Sequence, residues 1–387
     1  MKNIAKAAIL FCLTILLPVG LKAQEIPRVQ ALQIKSKILS QDRPILVFTP
    51  RFYDERELVS YDVIYVFDAQ NREMFDMVHA AMGFTDKPRS CIVVGICSPP
   101  YPDQDYYRNS DYLPKPVNVE QLSLTNNPNA ENFWKYVTNE VMPFIDKKFR
   151  TTSEKYAIGH SLSASFVLDK AIHAPPVFKG CLAISPNLAY DEYRLANDFI
   201  AADFNKPGEK RFLYISQGNE LIKMREEWGI SYKKVKTFID AKDDFGKYTV
   251  LVKEFPEENH LHTYVPSLMY GLKKLNAFVG SNPAKPQGDQ WLVSFKVIVP
   301  NKNDDAFIAG NQYSLGDWDP GKVKLKKVSD FEREITLSVQ FPLEFRITRG
   351  SWDSKAATDQ SEDDNIVIAK PGKSKTVKVK VEAWYDR

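Results

Sequence analysis

The sequence predicts an α/β fold, a mostly parallel sheet with helices on both faces, followed by a small all-β sandwich. Three observations predict it. From about residue 45 to 280, apolar β-branched runs alternate with stretches patterned as helices, which is the rhythm of a mostly parallel sheet. Several of those runs are apolar at nearly every position, as strands covered on both faces are. After residue 290 the pattern changes to short alternating strands with turn signals between them, as in a sandwich. The 387 residues, 44% hydrophobic and 26% charged, supply material for two or three globular domains.

The N-terminus differs from the rest. Lys2 and Lys6 precede the apolar run "AAILFCLTILLPVG", and Ala23 stands at a small-residue cleavage point. That pattern predicts a signal peptide over residues 1–23, since the run is too short for a comfortable membrane span. Ile9-Leu10-Phe11 before Cys12 is a poor lipobox, so no membrane anchor is expected, and the mature protein should be secreted or periplasmic. Residues 1–23 carry three lysines and no acid, so the formal charge of +3 falls to zero without them. A neutral mature chain gives no reason to expect a nucleic-acid partner.

The strands expected next are "ILVFTP" (45–50), "DVIYVFDA" (62–69), "CIVVGIC" (91–97), "KYAIGHS" (155–161), "GCLAISP" (180–186), "RFLYISQG" (211–218) and "YTVLVKEFP" (248–256). Helical patterns lie between them: "REMFDMVHAAMGF", "AENFWKYVTNEVMPFIDKKFR", "SASFVLDKAIHAP" and "EWGISYKKVKTFIDAKDDF". Residues 101–130, rich in Tyr, Pro and Asn, read as an irregular insertion after the third strand. Cys91 and Cys97 bracket a single strand that spans roughly 20 Å, beyond disulfide reach. They read as buried thiols, and with Cys181 they form no metal-site pattern. "GSNPAKPQGDQ" is a linker by composition. The domains expected are therefore 24–280, a linker at 281–290, and a sandwich over 291–387.

The chemistry centres on "YAIGHSLSASF" (156–166), where a short apolar run meets Gly159-His160-Ser161-Leu162-Ser163. A helix N-cap would also place a serine there. A nucleophile elbow, usually G-x-S-x-G, is the alternative. A serine hydroxyl needs a base, and the base needs an acid to fix its tautomer. In serine hydrolases of this architecture the order is Ser, acid, His, each on a loop after a strand. Of the five histidines, His79 and His173 sit in helical patterns, and His160 adjoins Ser161 on the same turn. His260 and His262 follow the last strand and precede a final helix, and His260 is preferred because it follows the turn-like "EEN". Glu220, after "RFLYISQGN", is the expected acid, with Asp191, Asp203 and Glu257 as weaker alternatives. Two N–H groups are needed for the developing oxyanion. One is expected from Leu162 and the other from Ala69 or Gln70. Neither a metal nor an organic cofactor is asked for by this chemistry.

These motifs give the region from about 30 to 275 a resemblance to the α/β-hydrolase family of esterase D, feruloyl and acetyl xylan esterase domains, enterochelin-type esterases and mycolyltransferases. "YVFDAQN" stands where that family ends a strand in Asp-Gly. "VVGICSPP…YYRNSDYLP" resembles its "VVGI" strand with a following Arg-Asp-Tyr segment. "NEVMPFIDKKFRT", "FKGCLAISPNL" and "ENHLHTYVPSLMYGL" match three further family segments in order. The chain departs from the family at Ser163, where the elbow's second glycine is usual, and at Ala69, after Asp68. It departs also at His262 and in "SPNLAYDE".

The second domain has its own resemblance. "AFIAGNQYSLGDWDPGKVKL" and "LEFRITRGSWD" are similar to the starch-binding, family 20 type of carbohydrate-binding module. That resemblance implies Trp318 as a sugar-stacking residue and Trp352 as a second platform. Four of the six tryptophans fall in this last quarter, though small β domains also use such residues as core. With the expected signal peptide, the resemblances imply an exported serine esterase acting on acylated carbohydrate, acetyl or feruloyl. The rival readings are a siderophore esterase or acyltransferase on the same scaffold, and a glycan-binding protein with weakened catalysis.

Overall fold

The computed structural model describes residues 28–386 apart from 52, 55–59, 83–90, 101–106, 118–126, 206–207, 221–225, 282–288, 362–363 and 373–374. The expected signal peptide lies outside the described residues, as do most of the expected linker and part of the 101–130 insertion.

Eight strands form the first sheet: β1 (Arg28–Ser36), β2 (Gln41–Thr49), β3 (Tyr61–Phe67), β4 (Cys91–Ile96), β5 (Thr151–His160), β6 (Gly180–Ile184), β7 (Arg211–Asn219) and β8 (Tyr248–Asn259). Their order is β1-β2-β4-β3-β5-β6-β7-β8. β2 runs antiparallel to both β1 and β4, and the remaining neighbours are parallel. All seven expected strands are present. β1 is an addition, an edge strand on which, among the described side chains, only Ile34 and Ser36 are buried, too sparse an apolar pattern to read as a core strand.

Alternate residues of the central strands feed two cores. Val63, Tyr65 and Phe67 of β3 face one way, while Ile64 and Val66 face the other. The second face is covered by α1 (Arg72–Met82) and α8 (Tyr264–Ser281), through Phe75, Val78, Leu268 and Leu272. The first is covered mainly by α3 (Ala130–Tyr136), α4 (Met142–Lys148), α5 (Leu162–His173) and α7 (Glu226–Asp240). A π turn over Val137–Val141 joins α3 to α4. Inside the expected insertion lies a five-residue helix, α2 (Arg108–Tyr112), and α6 (Tyr190–Ala201) follows β6. Cys91, Cys97 and Cys181 are buried thiols outside any disulfide. Burial pushes the pKa of Cys97 and of Cys181 up to about 12.

The remaining strands make two sheets: β9 (Trp291–Ile298), β10 (Phe307–Gly310), β11 (Val323–Lys324), β12 (Lys326–Lys327), β13 (Glu332–Val339), β14 (Leu343–Thr348), β15 (Ala356–Thr358), β16 (Ile366–Ile368) and β17 (Thr376–Trp384). One sheet is ordered β11-β10-β14-β16 and the other β12-β13-β9-β17-β15. Phe295 from one and Phe345 from the other meet edge to face at 5.4 Å inside their shared core. Among the described residues no helix is long and apolar enough to cross a membrane.

Candidate active site

Parallel sheets gather polar chemistry at the carboxyl ends of their strands, and four such ends matter here. β5 ends at His160, and Ser161 turns the chain into α5 with φ +58° and ψ −119°. A non-glycine residue in the left-handed region is strained by about 1–3 kcal/mol and persists only where its surroundings hold it. Two neighbours hold it. A Cβ on Gly159 would lie 2.5 Å from the Ser163 carbonyl oxygen, so only glycine lets the helix start this close to the strand. The buried Ser163 hydroxyl accepts the His160 N–H at 3.0 Å and donates to the His160 carbonyl at 2.9 Å. Serine in place of the family's second glycine therefore adds a clasp across the turn. The Ser161 N–H donates to Ile184 O at 2.9 Å, tying the elbow to β6. The Leu162 N–H is the first of α5, has no intrahelical acceptor and lies at the positive end of the helix dipole.

β7 and β8 bring the other two groups together. Their register runs in step to Gly218↔Phe255 and then jumps to Asn219↔Asn259. The three extra residues on β8 form a bulge. Beyond it Glu220 and His260 are the next residues on adjacent strand ends. His260 Nδ1 donates to Glu220 Oε1 at 2.8 Å, and both side chains are almost fully buried. The Trp228 ring packs edge-on against His260, 5.2 Å between centroids. His262 is exposed instead, beside Asn259. Asp191 is engaged by the Val117 N–H and by Arg194, while Asp203 and Glu257 are exposed. Of the four acids considered, the structure brings Glu220 to the histidine.

The fourth end is that of β3. Asp68 is buried, with φ +65°. Its N–H donates to Tyr112 Oη at 2.9 Å. Arg108 donates from Nε and Nη2 to the two Asp68 carboxylate oxygens at 2.8 and 3.0 Å. Gln70 Nε2 donates to Asp68 at 2.8 Å, and Gln70 Oε1 accepts the Ser98 N–H at 3.0 Å. Ser98 Oγ donates to Asp111 at 2.7 Å, and Asp111 pairs with the fully buried Arg43. Arg108, Asp111 and Tyr112 all sit on α2, so this short helix clips the loop after β3 in place.

One expectation is corrected here. The Ala69 N–H donates to Ile96 O at 3.1 Å and is not available to an oxyanion, which leaves Gln70 of the two candidates. The alanine is accommodated because its neighbour is glycine: a Cβ on Gly95 would fall 2.6 Å from the Ala69 Cβ. The roles of Arg108, Asp111 and Tyr112 were not legible in sequence. Their segment resembles a family motif, but nothing in it names the partner 40 residues away.

In the second domain Trp318 and Trp352 lie together. Their ring centroids are 6.4 Å apart, with planes tilted by 35°. Trp318 is half-buried at a left-handed φ of +61°, and Trp352 is 41% exposed. Trp384 instead belongs to the core and donates Nε1–H to Asp304 at 2.8 Å.

No curated protein matches the chain in sequence. Solved structures are similar to it in fold. An IroE-like serine hydrolase from Shewanella oneidensis superposes with a TM-score of 0.53 and 20% identity, over 64% of this chain and 80% of that one. A siderophore hydrolase, EstB, from Aspergillus nidulans gives a TM-score of 0.54 at 17% identity, over 68% of this chain and 99% of its own. The BES protein from Bacillus cereus gives 0.52 at 19% identity, over 70% and 98%. A family model matches residues 36–267, which hold β2 to β8 and α1 to α7. That match covers well over half of the chain, which therefore belongs to the esterase family described as "Putative esterase" and is a carboxylic ester hydrolase.

Proposed function

We propose that the chain is an exported serine esterase that hydrolyses acylated carbohydrates, acetyl or feruloyl, through Ser161, His260 and Glu220. One observation carries the catalytic reading. His260 Nδ1 and Glu220 Oε1 are 2.8 Å apart in a buried pair, at the same end of the sheet as a serine held on a strained strand-to-helix turn. The reaction then follows from the groups present. Ser161 Oγ attacks the ester carbonyl while His260 Nε2 takes its proton. Glu220 holds Nδ1–H and stabilises the imidazolium that forms. The Leu162 and Gln70 N–H groups receive the oxyanion. His260 returns the proton to the leaving alkoxide, and water releases the acyl group by the reverse sequence.

The carbohydrate half of the proposal draws on the paired Trp318 and Trp352 rings, since aromatic faces suit the apolar faces of pyranose rings. Export draws on Lys2, Lys6 and the apolar run that follows. The proposed domain limits of 24–280 and 291–387, joined by 281–290, draw on the separate sheets and separate cores on either side.

Labelling of the mature protein by a fluorophosphonate probe tests the catalytic half. Wild type should label, while Ser161→Ala and His260→Ala should not, with circular dichroism unchanged. Hydrolysis of a short synthetic ester should fall in Ser161→Ala by a factor on the order of 10⁴ or more. An unlabelled wild type sinks the reading. For the glycan half, Trp352→Ala should weaken retention of the mature chain on acetylated polysaccharide by about three- to tenfold.

A further inference from the structure

His160, one residue before the proposed nucleophile, has a task that the reaction above does not use. It is the last residue of β5 and is 97% buried by accessible area. Its side chain leaves the strand towards the start of α8, where its ring stands 5.6 Å edge-on from Tyr264 and 4.8 Å from the ring of His260. Its Nε2 lies 2.8 Å from the main-chain carbonyl oxygen of His260. A carbonyl oxygen can only accept, so Nε2 carries the hydrogen. Burial, with the charge of His260 added, pushes the His160 pKa down to about 4, so the ring is the neutral Nε2–H tautomer at neutral pH.

This bond matters because of the sheet order. β5, which ends one residue before the serine, and β8, which precedes His260, are separated by β6 and β7. Strands about 4.8 Å apart put three strand spacings between the two ends. The β7–β8 pairing fixes His260 relative to Glu220 but not relative to Ser161. The His160 bond spans that gap directly, from the residue beside the serine to the backbone of the histidine.

We infer that His160 is a positioning residue, whose Nε2–H clamps the His260 backbone and so sets the distance between Ser161 and the base. The inference rests on the reading of Ser161 and His260 given above. Glu220 at Nδ1, Trp228 against its ring, and His160 on its carbonyl and beside its ring then all hold His260.

The test compares His160→Leu with His160→Gln. Leucine fills the space without a donor, whereas glutamine carries an amide donor at the reach of Nε2. Hydrolysis of p-nitrophenyl acetate and the rate of fluorophosphonate labelling are measured for each. His160→Leu should lower kcat by about 100-fold, the cost of a misplaced reacting group, with KM within about threefold. Labelling should slow in parallel, and His160→Gln should restore most of both. Should the leucine variant fail to fold, His160→Asn takes its place, because its amide is one methylene too short to reach the carbonyl. Wild-type kcat in His160→Leu, or equal losses in the Leu and Gln variants, overturns the inference while the serine-esterase reading stands. A wild type that neither labels nor hydrolyses overturns both.

Discussion

Ser161 and Asp68 stand on two sides of the same candidate site, and both carry an unfavourable positive φ, +58° and +65°. They are held there by different means. Ser161 is kept by neighbours within two residues: the missing side chain of Gly159 and the hydroxyl of Ser163. Asp68 is kept by side chains 40 and 44 residues away, Arg108 and Tyr112, both on the short helix α2. The Ser161 side is thus set largely within a pentapeptide, with one main-chain tie from Ser161 to Ile184 of β6. The proposed oxyanion side depends on a segment that could be altered without touching the proposed nucleophile. In a scaffold that serves many esters, this separates what the chemistry requires from what the substrate can shape.

The comparison breaks first if the local side turns out to be soft. Gly159→Ala places a Cβ 2.5 Å from Ser163 O and 2.7 Å from the Ala164 nitrogen. Both are backbone atoms, so the elbow itself has to move. A shift near 1 Å at the nucleophile lowers kcat by about 100-fold, and the overpacking costs about 1–3 kcal/mol of stability. Single-turnover labelling and urea unfolding measure the two effects. A Gly159→Ala enzyme with wild-type labelling rate would show that the elbow does not depend on this contact.

The distant side is probed by Arg108→Leu, which leaves the Asp68 carboxylate buried without its cation. Breaking a fully buried pair costs about 3–5 kcal/mol. Arg108 keeps 28% of its side chain exposed, so a loss of about 2–3 kcal/mol is expected here. Activity should fall by about tenfold or more as Gln70 loses its orientation. Adding Asp68→Asn should recover part of the stability, since the stranded charge is gone, without recovering the rate. Urea midpoints and kcat of the single and double variants decide this. A neutral Arg108→Leu would mean that the loop after β3 holds its own shape, as the elbow does.

The same contrast explains what could be read before the structure. The elbow was legible because its determinants are contiguous, and the order of strands then led to Glu220 and His260. The bulge that aligns them was not legible, because it exists only as a register shift between β7 and β8. Choosing between Ala69 and Gln70 was likewise beyond sequence, since the choice turns on a bond from Ala69 to β4. Arg108, Asp111 and Tyr112 sat in a stretch read as irregular, and only their distant partners reveal their use. β1 escaped because an edge strand with one solvated face carries little apolar signal.

Acidification gives the last and smallest test, and it bears on the local side alone. His160 has a pKa near 4 when folded against 6.5 ordinarily, chiefly because it is buried. Below about pH 6.5 the unfolded chain takes up a proton that the folded chain refuses, so stability falls as pH drops and the loss levels off near pH 4. Between pH 8 and pH 5 this one group accounts for about 2 kcal/mol. His160→Gln cannot titrate, so it should lack this part of the acid sensitivity while every other group is unchanged. Urea unfolding of both proteins at pH 8 and pH 5 isolates the difference. A variant that weakens with acid as steeply as wild type would place the neutral, buried imidazole in doubt, and with it the tautomer that the clamp on His260 requires.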